Sequence, residues 1–238
     1  SSSSYFCYHH HHYYYSGTPS NLLPLELGEC QYEKGSDAKM MYFLTSPDVM
    51  EYVPVPMGWT VNSVLDNIAR ASPPYHALID TGALVTGYTN IEVAMRLLER
   101  GLPTMEGVVF LDQLDRKMIF LRSSQKAVPL AQCGVPKHKR FSFYDQVHTT
   151  GMDIKQALNA TAVITVGKDM TFRDYAQGAF RMRGIGQGQR LHAFVIPEVQ
   201  KLVRDQLNRA GLRVDDSAIS KAAAAAAASS GGGGGGGG

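Results

Sequence analysis

The order of the apolar runs predicts an α/β domain of three layers, a mostly parallel sheet with helices on both faces. Three observations carry that prediction. Short apolar runs, such as Gly107 to Leu111, Phe141 to Tyr144, Ala162 to Val166 and Leu191 to Ile196, alternate along the chain with stretches whose apolar residues recur at helical spacing. The helical stretches open on recognisable start signals, Thr60, Thr89, Thr171 and Pro197. Most runs are also followed by a small or polar turn, the pattern of strands that feed crossover helices.

Taken in order, residues 1–20 are a low-complexity tail of Ser, Tyr and His, residues 21–213 are expected to form one α/β domain with its core over 75–210, and residues 214–238 are a second low-complexity tail. The segment Asn21 to Met57 reads as covering loops with one strand. Thr60 caps a helix to Arg70, with Val61, Val64, Leu65 and Ile68 at i, i+3, i+4 and i+7, and Ser72-Pro73-Pro74 stops it. His76 to Asp80 is a short strand. Thr89 and Glu92 have capping-box spacing, and the helix they open runs to Arg100 with Gly101 as its stop. Gly107 to Leu111 and Lys117 to Arg122 read as a hairpin about a polar turn. Val128 to Arg140 reads as a loop carrying Cys133. Phe141 to Tyr144 is a strand, after which Asp153 opens a short helical pattern. Thr171 caps a helix in which Tyr175, Ala179 and Met182 share one face and Arg173, Gln177 and Arg181 another, and the glycines Gly184, Gly186 and Gly188 close it. Pro197 starts a last helix to about Arg209.

Composition narrows the function classes. The 238 residues are 44% apolar and 18% charged, enough to bury a core. A net charge of +2 gives no global pull towards nucleic acid or an anionic membrane. The basic cluster Lys137 to Arg140 is short and lacks interleaved stacking aromatics, so nucleic acid is not an expected partner. No apolar run spans a bilayer, and three cysteines suit a reducing compartment, so a cytoplasmic location is expected. No metal site or cofactor is expected; the run His9 to His12 lacks a positioned carboxylate or cysteine.

In open parallel sheets, ligands sit beyond the carboxyl ends of the strands. Asp80, with Thr81 and Gly82, falls there. So do His148, Thr149, Thr150, Gly151 and Asp153 and, less directly, the helix end with the Gly184 to Gln189 loop. One chemistry these residues suggest is thiol hydrolysis: Cys133 as nucleophile beside the cations Lys137 to Arg140, His148 as base, Asp145 or Asp153 to orient it, and the HTTG turn as oxyanion site. A second is phosphate binding. Gly151-Met152-Asp153-Ile154, followed by Gln177, Arg181 and Arg183-Gly184, resembles the last two motifs of the C-terminal RecA-like domain of superfamily 2 helicases and translocase ATPases. There a glutamine and arginines reach the nucleotide's phosphates across a domain cleft. The match departs at Phe180 and in the two-residue step from Arg181 to Arg183. The chain holds no G-x-x-x-x-G-K-[ST] loop, so by itself it is not a complete ATPase. This resemblance implies a RecA-like fold without that phosphate loop, and nucleotide as a ligand. The run Gly184 to Gly188 follows a helix and reads as a helix-ending loop.

The blocks ALIDTGALVTG (Ala77 to Gly87), GVVFLDQLDRKMIFLR (Gly107 to Arg122), QCGVP (Gln132 to Pro136), FYDQVHTTGMDIKQ (Phe143 to Gln156) and FRDYAQGAFRMRGIGQGQ (Phe172 to Gln189) resemble one region of a family of very large eukaryotic proteins commonly labelled ubiquitinyl hydrolase. That resemblance covers about Tyr75 to Ile196. It implies a deubiquitinating thiol isopeptidase, ubiquitin or a ubiquitinated protein as partner, and a chain that is one piece of a longer one. The roles of Cys133 and His148 rest on their chemistry, not on the family.

Overall fold

The computed structural model describes residues 36–148 and 154–211. Eight strands form one sheet, β1 (Met50–Pro54), β2 (Ala77–Ile79), β3 (Gly107–Leu111), β4 (Lys117–Leu121), β5 (Lys126–Pro129), β6 (Arg140–Tyr144), β7 (Thr161–Val166) and β8 (Arg190–Val195), in the order β1-β8-β7-β2-β6-β3-β4-β5. The pairs from β1 to β3 are parallel, and β3-β4-β5 is an antiparallel extension at one edge. The central strands β2, β3 and β6 are buried almost throughout, as a sheet covered on both faces requires.

Five α-helices accompany it among the described residues: α1 (Ser36–Thr45), α2 (Val61–Ala69), α3 (Asn90–Arg100), α4 (Phe172–Ala179) and α5 (Pro197–Arg209). Three begin on a Thr whose hydroxyl accepts the N–H three residues on, while that third side chain returns the bond. The pairs are Thr60 with Ser63, Thr89 with Glu92 and Thr171 with Asp174. Crossovers through α2 and α3 run one way across the sheet, and the crossover through α4 runs the other way. Right-handed connections then put α2 with α3 on one face and α4 on the opposite face. Arg100 on α3 joins the first pair through Asp66 at 2.5 Å and Asn62 at 3.0 Å on α2, and Gly101 lies so close to Ala69 that a Cβ there would sit 2.3 Å from its carbonyl oxygen. The expected α/β fold with a mostly parallel sheet is therefore present.

Four local expectations need correction. The segment Asn21 to Met57, expected as covering loops with one strand, contains the helix α1, and its strand among the described residues is β1. The segment Val128 to Arg140 is not all loop: Lys126–Pro129 pairs with β4, because Ala127 and Val128 cover Phe120 and Ile119 at the sheet edge. From Ile154 to Ala157 the chain is irregular, with Ile154 buried and its carbonyl accepting from Tyr144 Oη at 3.2 Å; Asp153 itself lies outside the described residues. The helix capped by Thr171 stops at Ala179. The next N–H groups tighten into three-residue turns, Arg181 to Gly178 and Met182 to Ala179, each at 3.0 Å, so Arg181 and Arg183 follow the helix and are not on it. No helix among the described residues is long and apolar enough to cross a membrane.

Candidate functional site

The sheet's connections diverge between β2 and β7. The chain leaving β2 crosses through α3 towards β3, and the chain leaving β7 crosses through α4 towards β8, in the opposite direction. Loops that part in this way open a crevice at the carboxyl ends of the strands, where α/β folds bind ligands. A cleft of about 490 Å³ occupies the position, within the usual range for small-ligand sites. Its walls are Thr81 to Leu84 after β2, Gly167 to Met170 after β7, Asp174 and Gln177 on α4, Gln146 after β6, and Ile196 after β8.

The floor is built on close backbone contact. A Cβ on Gly82 would lie 2.5 Å from the Gly167 nitrogen, and one on Gly167 would lie 2.7 Å from the Gly82 oxygen, so both positions require glycine. Asp80 holds the first loop in shape. Its Oδ1 accepts from the Leu84 N–H at 2.9 Å and from Thr165 Oγ1 at 2.7 Å, and its Oδ2 accepts from the Val85 N–H at 3.0 Å. Thr165 Oγ1 in turn accepts from the Gly82 N–H at 2.9 Å. Burial pushes the Asp80 carboxyl up, against the pull of these three donors, and the charge of Asp145 pushes the same way. Asp80 and Asp145 are equivalent positions, one residue beyond the register pair Ile79 and Tyr144 on adjacent strands. Asp80 is thus brought beside Asp145, but its carboxyl is spent on the loop beneath the cleft and does not line it.

Across the cleft, α4 packs on the same loop. Gly178 allows it, since a Cβ there would meet Thr81 Oγ1 at 2.3 Å. The Thr81 hydroxyl is buried and has no hydrogen-bond partner among the described residues. The Asp174 carboxylate caps α4 through Thr171, and those bonds hold it below the ordinary Asp value. Lys168 is the lining's cation and Asp169 its other anion, both exposed.

The remaining expected site residues are spread out. Gln177 lines the cleft. Arg181 does not; it is 3% exposed, and Arg183 is half-buried and also outside the lining. Cys133 is a free, half-buried thiol in the crossover from β5 to β6, and its Sγ accepts the Val135 N–H at 3.3 Å. It is not part of the cleft. Nearby, Arg140 Nε donates to the Val135 carbonyl at 2.6 Å. His148 ends a short 3-10 turn, Gln146–His148, after β6. Thr149, Thr150, Gly151 and Asp153 lie outside the described residues. The Gly184 to Gln189 loop closes on itself, with the buried Gln189 accepting from the Gly184 N–H at 2.7 Å and donating to the Ala157 carbonyl at 2.8 Å. It is a structural loop. Among the described residues no cluster of three or more His, Cys, Asp or Glu side chains is arranged to hold a metal ion.

Sequence reasoning missed Gln146, Lys168, Asp169 and Ile196. The signal available for the β7 loop was Gly167-Lys168-Asp169 directly after an apolar run, the same strand-then-glycine pattern that marked Thr81-Gly82. No protein family, curated protein or solved structure matches this chain.

Proposed function

We propose that this chain is a RecA-like half-domain that binds a nucleotide at the carboxyl-end cleft between β2 and β7, without hydrolysing it alone. The observation that carries this reading is the position of the cleft at the divergence of the two crossovers, with Gln177 of the helicase-like motif in its wall. Lys168 can meet a phosphate. Asp169 and Asp174 make the cleft better suited to a nucleotide carrying a divalent counter-ion than to bare phosphate. With no Walker-type loop in the sequence, the hydrolytic parts would come from a partner domain. Calorimetric titration with magnesium-ATP tests it: saturable binding that weakens in Gln177→Ala is the expected result, and no binding by the folded chain refutes it.

A second reading has one observation in its favour. Cys133 is a free thiol, and its loop is tied by the cation Arg140: the Val135 N–H donates to Cys133 Sγ, and the Val135 carbonyl accepts from Arg140 Nε. In that reading the chain is part of a ubiquitin-directed thiol isopeptidase of the cytoplasm, with Cys133 attacking the isopeptide carbonyl and His148 moving the proton. A ubiquitin probe with a thiol-reactive C-terminus decides it. Labelling of Cys133 that is lost in His148→Ala supports the isopeptidase, and absence of labelling removes it.

A further inference from the structure

Away from the cleft, three chain segments meet on one imidazole. His192 on β8 faces its register partner Glu51 on the edge strand β1, with Nε2 3.4 Å from Glu51 Oε2. On the other side of the ring, the Tyr75 hydroxyl lies 2.8 Å from Nδ1. Tyr75 belongs to the segment that leads into β2, and its ring stands edge-on to His192 at 5.2 Å and to Phe194 at 6.0 Å.

The partners favour one tautomer. An ionised carboxylate only accepts, so Nε2 carries the hydrogen; Nδ1 of the neutral ring is then an acceptor, and Tyr75 donates to it. A proton added to Nδ1 turns that acceptor into a donor. The Tyr75 oxygen can accept it, but the hydroxyl hydrogen then needs a new partner in a residue only 9% exposed. The charged and titratable groups around the ring are Glu51 on β1, which favours the added proton, Arg190 on β8, which opposes it, and Tyr75, which burial pushes up to about 12 and so keeps neutral. Arg204 on α5 acts on Tyr52, the next residue of β1. Burial of the imidazole outweighs Glu51, so His192 stays neutral to lower pH than a free histidine.

We infer that Glu51, His192 and Tyr75 form a proton-sensitive latch, in which neutral His192 accepts from Tyr75 and fastens the entry to β2 onto β8, and protonated His192 releases Tyr75 while its contact with Glu51 on β1 tightens. The folded chain takes up the His192 proton less readily than the unfolded chain. The latch is therefore complete above the ordinary histidine value of 6.5 and is lost as pH falls below it. β8 runs directly into Ile196 of the cleft wall, which links the latch to the binding end of the sheet.

Hydrogen exchange of residues 75–79, the entry to β2 and β2 itself, corrected for intrinsic rates and followed from pH 7 to pH 5, tests the latch. Protection is expected to fall roughly fivefold, the loss of one hydrogen bond, in the native chain and to stay level in His192→Gln, whose amide donates as Nε2 does but does not titrate. If His192→Gln does not fold, Tyr75→Phe takes its place: protection should already be reduced at pH 7 and vary less with pH. The same pH profile in the native chain and in the folded variant would overturn the latch.

Discussion

The two ends of the sheet solve the same packing problem in opposite ways. At the amino end of β3, one long side chain does the closing: Arg122 reaches the carbonyls of Leu98, Gly101, Leu102 and Met105 at 2.8 to 3.1 Å, satisfying the end of α3 and the turn beyond it, while Lys139 pairs with Glu106 at 2.6 Å. At the carboxyl ends of β2 and β7, the absence of side chains does it. Gly82 and Gly167 let two loops touch backbone to backbone, and Asp80 ties one of them from below. An end closed by glycines leaves the space above them open, and that space is the cleft.

The largest effect is expected where the close approach is lost. Gly82→Ala forces a Cβ into the Gly167 backbone and should cost about 3 kcal/mol in urea unfolding, with loss of ligand binding. Arg122→Ala, which leaves four carbonyls without their donor at the other end, should cost about 2 kcal/mol and leave nucleotide binding intact. If Arg122→Ala abolished binding as Gly82→Ala does, the two ends would not be functionally distinct. Gln177→Ala should change stability by less than about 0.5 kcal/mol and weaken nucleotide binding roughly tenfold in a calorimetric titration.

The smallest effect is in pH dependence. The Asp80 carboxyl is raised by burial, so its contribution is fully present below the usual 3.8 and is lost as pH rises through the higher folded value. The capping carboxylates Glu92 and Asp174 are held low by their bonds to Thr89 and Thr171, and their contribution runs the other way, lost as pH falls. Asp80→Asn should remove only the first component. Urea midpoints of the two chains between pH 4 and pH 7 measure this; parallel curves would show that Asp80 does not titrate differently in the fold.

Much of the fold was legible because its signals are local. Thr60, Thr89 and Thr171 cap where their spacing says, Gly101 stops α3, and Pro197 opens α5. The misses have physical causes. The expected loops hid α1 because its apolar residues, Met40 to Leu44, are too short a run to reveal a helix, and β5 exists only because β4 offers it an edge. Arg181 sits at helical spacing from Gln177, but the chain tightens after Ala179 and carries it into the interior. At the site, Gln177 and the Thr81-Gly82 turn were readable from motif and strand end, whereas Asp80, expected to contact a ligand, shapes the loop beneath the cleft. The meeting of Gly82 with Gly167, 85 positions apart in sequence, depends on sheet order, which no local pattern encodes.

The most direct test of the account is to map the footprint of bound magnesium-ATP by amide hydrogen exchange on the intact chain. Protection gained together in residues 81–84 and 167–170, the two loops that form the cleft, is the predicted result. Binding that leaves both loops unprotected, or that protects the Cys133 crossover instead, would contradict it.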